Sequence, residues 1–317
     1  MAQSRNDRRG IPPSAVQLPL FALPQSVPLL ECAHPRCSRP ERRGGSAARI
    51  QVLGSGSGGN AILLEGDGQR LLIDAGFSSR ELEHRLRIVG VQPSTLRAVV
   101  ITHEHHDHCR GAARFARRHR VPVFATAGTF RARMLRPVVD RRVIRAGVPF
   151  EVAGFELTPF AVPHDAREPV GVVAQDRHGC RIGVVSDLGS FEPAASVRLV
   201  ELDVLVIETN HDPEMLRTGP YPYLLKRRVA GDRGHLSNPD AARSIGRILD
   251  DGLHTVVLYH LSRVNNLPRL ARESIGEALD RLGSAARLVL SDQFRPSGWI
   301  DLERPAAGLE EATGVTT

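Results

Sequence analysis

Within Thr102-His103-Glu104-His105-His106-Asp107-His108, four imidazoles and two carboxylates occupy seven residues, directly after the apolar run Ala98-Val99-Val100-Ile101. Polar groups gathered at the end of a buried strand lose hydration, and a divalent cation is the usual compensation for histidine and aspartate together. His103 and His105 are two residues apart and can ligate one ion from one side. Asp107 and His108 follow after a turn and can face a second ion. A solvated polar loop explains a single histidine well, but His-x-His-x-Asp-His after a strand is better explained by ligation.

Two other metal motifs are excluded by spacing. A zincin helix needs His-Glu-x-x-His, and the position of its second histidine is here Asp107. A thiolate zinc site needs paired cysteines, and near the cluster there is Cys109 alone. Cys32 and Cys37 could form half of a zinc knuckle, but no second half follows, so they read as stray cysteines.

The cluster must be held by its neighbours. The short β-branched run before it predicts a strand, and Gly111 with the apolar spacing of Ala112, Ala113, Phe115 and Ala116 predicts a helix after it, which places the cluster on a strand-to-helix loop. Strands are expected at Arg49 to Leu53, Ala61 to Glu65, Arg70 to Asp74, Val123 to Ala125, Phe155 to Phe160, Val170 to Ala174, Arg181 to Val185, Val204 to Glu208 and Thr255 to Tyr259. Helices are expected over Ser79 to Val89, from about Pro193, and over Asn238 to Leu249. These elements make two αβ halves without a tandem repeat.

Gly54-Ser55-Gly56-Ser57-Gly58-Gly59 formally matches a dinucleotide-binding fingerprint, with Asp74 at the distance of a ribose-binding acid. The fingerprint must open a helix. Here Ala61 to Glu65 runs through Gly66-Asp67-Gly68 into Arg70 to Asp74, which reads as a β-hairpin, so the glycines are expected to form a tight turn beside an active site.

The 317 residues allow one large domain or two ordinary ones, and 41% hydrophobic with 24% charged residues is ordinary for a soluble globular protein. The longest apolar runs are of strand length, short of the ~20 residues of a membrane helix. Arg5, Arg8 and Arg9 are followed by a segment interrupted by Pro12, Pro13, Pro19, Pro24 and Pro28, so no signal peptide is read and a cytoplasmic location is expected. Residues 1–48 are a Pro/Arg-rich segment without periodicity, expected to be disordered, as is 304–317; a single catalytic domain is expected over 49–303. Seven arginines against three carboxylates lie in 1–48, so much of the net charge of +7 sits there. The remainder is mildly basic, compatible with a polyanionic substrate but without the strong stripe of a dedicated duplex binder.

Taken with the metal loop and with Leu72-Ile73-Asp74-Ala75-Gly76, the chain resembles the metallo-β-lactamase-fold hydrolases. Leu53 to Asn60, Glu208-Thr209-Asn210-His211-Asp212-Pro213-Glu214-Met215-Leu216 and Asp232-Arg233-Gly234-His235-Leu236-Ser237-Asn238 resemble the YycJ (WalJ) branch of nucleases in that fold. The resemblance runs through most of 49–300. His106 departs from it, since the family more often has a small residue there, and adds a polar group at the rim.

The resemblance implies an α/β architecture of four αββα layers, two facing mixed sheets between helices. It also implies two divalent ions, Zn or Mn with Fe as a further option. His103, His105 and His164 would hold the first ion, Asp107, His108 and His260 the second, and Asp187 would bridge them. A hydroxide between the ions would attack a phosphodiester in line, with Asp107 orienting it. His235, if protonated, could donate to the leaving oxygen. Ser57, Gly58, Asn60, Asn210, His211, Ser237 and Asn238 are the candidate substrate contacts, the amides of the glycine turn being available to the scissile phosphate. His211 and His235 have no place in the metal set, and a local role at the helix starts Asp212-Pro213 and Ser237-Asn238-Pro239 is the alternative for both.

The expected activity is a metal-dependent exonuclease with nucleic acid as partner, DNA favoured and 5′ ends preferred. The alternatives are a small-molecule or cyclic-nucleotide phosphodiesterase and a non-catalytic, metal-stabilised module binding DNA or protein.

Overall fold

The structure, a computed structural model, describes residues 48–191 and 198–302. Of the expected N-terminal tail, Ala48 is described and is buried in the core, while the rest of that tail, the C-terminal tail, Cys32, Cys37 and the helix expected from Pro193 lie outside the described residues. Among the described residues two seven-stranded mixed sheets face each other. The first is built from β1 (Arg49–Gly54), β2 (Ala61–Gly66), β3 (Gln69–Ile73), β4 (Leu96–Val100), β5 (Val123–Thr126), β6 (Arg141–Ile144) and β14 (Ile300–Asp301), in the order β14-β1-β2-β3-β4-β5-β6. The second contains β7 (Phe150–Val152), β8 (Phe155–Ala161), β9 (Val170–Asp176), β10 (Arg181–Val185), β11 (Val204–Glu208), β12 (Thr255–Tyr259) and β13 (Arg287–Leu290), in the order β13-β12-β11-β10-β9-β8-β7.

Both sheets follow one plan. Antiparallel neighbours come first (β1/β2, β2/β3 and β7/β8, β8/β9, β9/β10), and parallel ones after (β3/β4, β4/β5, β5/β6 and β10/β11, β11/β12, β12/β13). The hairpin expected between residues 61 and 74 is present as β2 and β3, so the glycine turn opens no helix.

The four layers follow from strands that are apolar on both faces. Side chains alternate along a strand, so Ile62, Leu64, Leu71 and Ile73 meet Val184, Val206, Val257 and Tyr259 of the facing sheet in a central core. Their neighbours Leu63, Leu72 and Val99 turn outward and pack against Leu82 and Leu86 of α1 (Ser79–Ile88) and Phe115 of α3 (Ala112–His119). Leu205, Ile207, Val256 and Leu258 do the same against Ile245 of α6 (Asn238–Ile248) and Ile275 of α7 (Pro268–Arg281).

Some elements differ from the sequence expectation. The cluster is not wholly loop, since His106–Cys109 forms one helical turn, α2, after His105. Two short helices, α4 (Pro213–Thr218) and α5 (Tyr223–Val229), follow β11. No described helix is long and apolar enough to cross a membrane. Of the remaining histidines, His84 is exposed, whereas His119 is half-buried against Phe115 and meets Glu83 at 3.2 Å.

Candidate metal centre

The central strands of both sheets deliver their last residues to one place. β3 leads to Asp74, β4 to Thr102 and His103, β8 to His164, β10 to Asp187, β11 ends in Glu208, and β12 leads to His260. Asp74, Asp187 and His260 each take a left-handed backbone, with φ of 64°, 55° and 55°. That conformation costs an L-residue about 1–2 kcal/mol, and three such residues at one site are held there by their surroundings. Asp187 and His260 line the cleft, while Asp74 lies beneath it against His108 and Thr102.

Asp187 divides its two carboxylate oxygens between two groups of imidazoles. Oδ2 lies 3.5 Å from His103 Nε2 and 3.6 Å from His164 Nε2, while Oδ1 lies 3.3 Å from both His108 Nε2 and His260 Nδ1. On the first side, His105 Nδ1 stands 3.1 Å from His164 Nε2. On the second, Asp107 Oδ2 is 3.1 Å from His260 Nε2 and 3.6 Å from His108 Nε2. Within each of the sets His103, His105, His164, Asp187 and Asp107, His108, Asp187, His260, one donor atom per residue lies within 4.8 Å of the others. The seven residues read as ligands from the sequence are therefore brought together. Glu104, the other carboxylate of the cluster, turns away to accept from the Arg167 N–H at 2.9 Å.

The donor set fits divalent metal. His103 Nε2 is buried and has no hydrogen-bond partner, although an orphaned ring nitrogen is costly to bury. Nitrogen and carboxylate donors at this density suit Zn, Mn or Fe.

The nitrogens that do not face the cleft have fixed partners. Asp74 Oδ2 meets His108 Nδ1 at 2.7 Å, and Asp74 is itself anchored by the Thr102 N–H at 2.9 Å. Thr102 Oγ1 meets His103 Nδ1 at 3.1 Å, and the Gly234 carbonyl meets His164 Nδ1 at 3.0 Å. Such partners fix ring orientation and tautomer for a metal ligand.

Electrostatics divide the imidazoles. Burial lowers the pKa of His103 well below its ordinary value, helped by neighbouring His108. His164 is lowered by burial too. Burial opposes a charge on His108 and His260 as well, yet Asp187 and the other carboxylates raise His108 well above the usual range and hold His260 up at about 10. Burial works against ionised Asp187 also, but His108 and His260 keep it well below the normal carboxylate range.

The centre opens into a cavity of about 320 Å3, whose lining includes Ser57, Asn210, Tyr221, Arg228 and His235. Of the candidate substrate contacts, Ser57 and Asn210 reach it. Asn60 is buried beneath and bonds the Asp107 carbonyl through Nδ2 at 3.3 Å. The glycine amides are engaged internally: the Gly56 N–H donates to Asn60 Oδ1 at 2.9 Å and the Gly58 N–H to Gln293 Oε1 at 2.7 Å. Their expected contact with a phosphate is replaced by these bonds, which hold the turn. Ser237 caps α6 by accepting from the Asp240 N–H at 3.2 Å, buried Asn238 bonds Asn266 at 2.9 Å, and His211 is buried, so none of the three lines the cavity.

The β-lactamase superfamily domain model matches residues 69–260 of the chain. Over 238 residues the chain is 33% identical to the exodeoxyribonuclease YycJ of Bacillus anthracis, spanning 74% of this chain and 90% of that one. The chain belongs to the YycJ/WalJ family of the metallo-β-lactamase fold. It is likewise 32% identical over 231 residues to the exodeoxyribonuclease WalJ of Streptococcus pneumoniae, covering 70% of this chain and 85% of the relative. Among solved structures, the metallo-β-lactamase-fold protein YhfI of Bacillus subtilis superimposes with a TM-score of 0.60 at 15% identity, over 80% of this chain and 99% of YhfI.

Two residues of this YycJ/WalJ family member escaped the sequence reading. Glu208 is fully buried and accepts from both His235 Nδ1 at 2.7 Å and His260 Nδ1 at 2.8 Å. Burial would raise its pKa, but His235 and its hydrogen bonds draw it down to about 2. In turn Glu208 raises His235 despite the burial that opposes its charge. A strand ending in an acid, Val204-Leu205-Val206-Ile207-Glu208, was the available signal. Asp74 carried the same signal at the end of β3. Both were masked because a carboxylate at a strand end has many roles until its partner, distant in sequence, is known.

Proposed function

We propose that this protein is a dinuclear metal-dependent phosphodiesterase that shortens nucleic-acid strands from an end, with DNA as the favoured substrate and 5′ ends preferred. The observation carrying this reading is the division of Asp187, one oxygen toward His103 and His164 and the other toward His108 and His260. That arrangement suits two ions sharing one carboxylate, and the exodeoxyribonuclease names of two relatives supply the substrate class.

Bound ions, Zn or Mn or alternatively Fe, would supply charge shielding for the phosphodiester and acidify water near neutral pH. The chain does the rest. His103, His105 and His164 define one side of the cleft, Asp107, His108 and His260 the other. Asp107 keeps Oδ2 turned inward against His260, placed to accept a proton from an attacking water. Ser57 and Asn210 offer donors to phosphate oxygens from the cavity wall.

His235 is the proton source for the leaving oxygen. Glu208 occupies its Nδ1 and favours the protonated ring, which leaves Nε2 as the donor at the cavity. A nucleoside hydroxyl is a poor leaving group, so a proton delivered at that atom lowers the barrier for a nucleic acid.

The test incubates protein reconstituted with Mn, and separately with Zn, with 5′- and 3′-labelled single- and double-stranded DNA, the matching RNA and bis-(p-nitrophenyl) phosphate. Stepwise shortening of DNA from the 5′ end is the expected result. Turnover of the small ester alone would make the protein a small-molecule phosphodiesterase, and strand binding without turnover would make it a binding module.

A further inference from the structure

A second concave surface, lined mainly by arginines, contains Arg110, one turn on from His106 of the metal cavity. Arg80, Arg110, Arg114 and Arg118, with Ser78 and Ser79, border a hollow of about 500 Å3. All four arginines are exposed. Among the described residues only Arg118 has a carboxylate partner, Glu83 at 3.4 Å. Four neighbouring cations with one counter-charge repel one another, and an anion relieves that repulsion. Arginine forks in particular match phosphate oxygens.

The position of the hollow relative to the cleft follows from the helix. Arg110 keeps helical dihedrals and its N–H donates to the His106 carbonyl at 3.1 Å, one turn on from His106, before the ladder breaks at Gly111, whose N–H donates to the Ala75 carbonyl at 2.8 Å and from which α3 starts. Within α3, Arg114 and Arg118 are four positions apart and stand next to each other, about 6 Å apart along the axis. His106 lines the metal cavity, and Arg110 lines the hollow. One helical turn thus separates a residue of the cleft from a residue of the arginine surface.

We propose that Arg80, Arg110, Arg114 and Arg118 form a second phosphate-binding surface that grips the sugar-phosphate backbone of the strand beyond the nucleotide being cleaved. The proposal rests on the reading of the substrate as a nucleic acid. It assigns the chain a grip on strands several nucleotides long, a contact that a small diester does not make. Its chemistry is that of the backbone, so the surface serves any base sequence.

The experiment uses the full chain and the double variant R80E/R114E, whose altered residues have no ion pair with described residues. Binding of a fluorescent 30-nucleotide single strand is followed by anisotropy across a salt series, and turnover is measured on that strand and on bis-(p-nitrophenyl) phosphate. The expected result is at least about tenfold weaker binding, with a log-log salt slope shallower by about 1.4 for two lost contacts, and a raised KM on the strand. Small-ester turnover should stay unchanged, which also reports an intact fold. Unchanged strand binding with unchanged salt slope would overturn the proposal. If the wild-type protein cleaves only the small ester, the nuclease reading fails, while the anisotropy comparison still decides whether the surface binds phosphates.

Discussion

His108 is pinned from both sides, its Nδ1 2.7 Å from Asp74 Oδ2 and its Nε2 3.3 Å from Asp187 Oδ1. Asp74 reaches it from the end of β3 across the parallel pair with β4, so a hydrophobic register decides the orientation of a candidate ligand. Asp74→Asn keeps the volume and weakens the grip on the ring. Metal affinity, measured by competition with a chelator, is expected to fall about 10- to 100-fold. Unchanged affinity would show that His108 is oriented by packing alone.

Gly76 admits the metal loop to the end of β3. A Cβ at this position would stand 1.6 Å from the Asp107 carbonyl oxygen and 2.6 Å from the Asn60 N–H nitrogen. Gly76→Ala must push α2 outward and take Asp107 and His108 with it. A lowered melting temperature together with lost metal is expected from calorimetry and elemental analysis. Retention of both would place the close approach outside the working site.

Much of this arrangement was legible in the sequence, and for identifiable reasons. The cluster at 102–108 is local, and the apolar alternation of β2, β3, β4, β11 and β12 announced the buried sheets. His164, Asp187 and His260 became readable through family resemblance, because a strand-end histidine or aspartate has no periodic signal of its own. The Glu208–His235 bond spans 27 residues and the Asp74–His108 bond 34, and no spacing rule links such partners. The arginine surface was diluted by averaging charge over the whole chain, although Arg114 and Arg118 stand one turn apart on α3.

His235 separates proton donation from a structural role through the leaving group. His235→Ala is expected to slow strand cleavage by about 10²- to 10⁴-fold. The p-nitrophenyl ester should be affected far less, because p-nitrophenolate departs without a proton. Equal losses on both substrates would contradict a donor role.

Metal removal should leave a site whose stability depends on pH in a defined direction. Burial notwithstanding, Asp187 and the neighbouring carboxylates hold His260 at about 10 against an ordinary 6.5; its contribution is complete below pH 6.5 and is lost as pH rises through 10. Glu208 lies at about 2 against an ordinary 4.5; its contribution is complete above pH 4.5 and is lost as pH falls through 2. Both are therefore full between pH 4.5 and 6.5 in the metal-free protein. Loading a metal requires His260 to lose its proton, so the melting-temperature gap between loaded and chelated protein should widen from about pH 5.5 to about pH 8. A flat or narrowing gap would mean that the ion does not displace that proton.

The most direct measurement titrates metal-free protein with Mn or Zn while following the shortening of a 5′-labelled DNA strand, with Asp187→Ala alongside. Activity should climb to a plateau at two metal equivalents per chain and be reduced by several orders of magnitude in the variant. Strand shortening without metal, a plateau at one equivalent, or full activity in Asp187→Ala would contradict a shared-carboxylate dinuclear centre as the source of the chemistry.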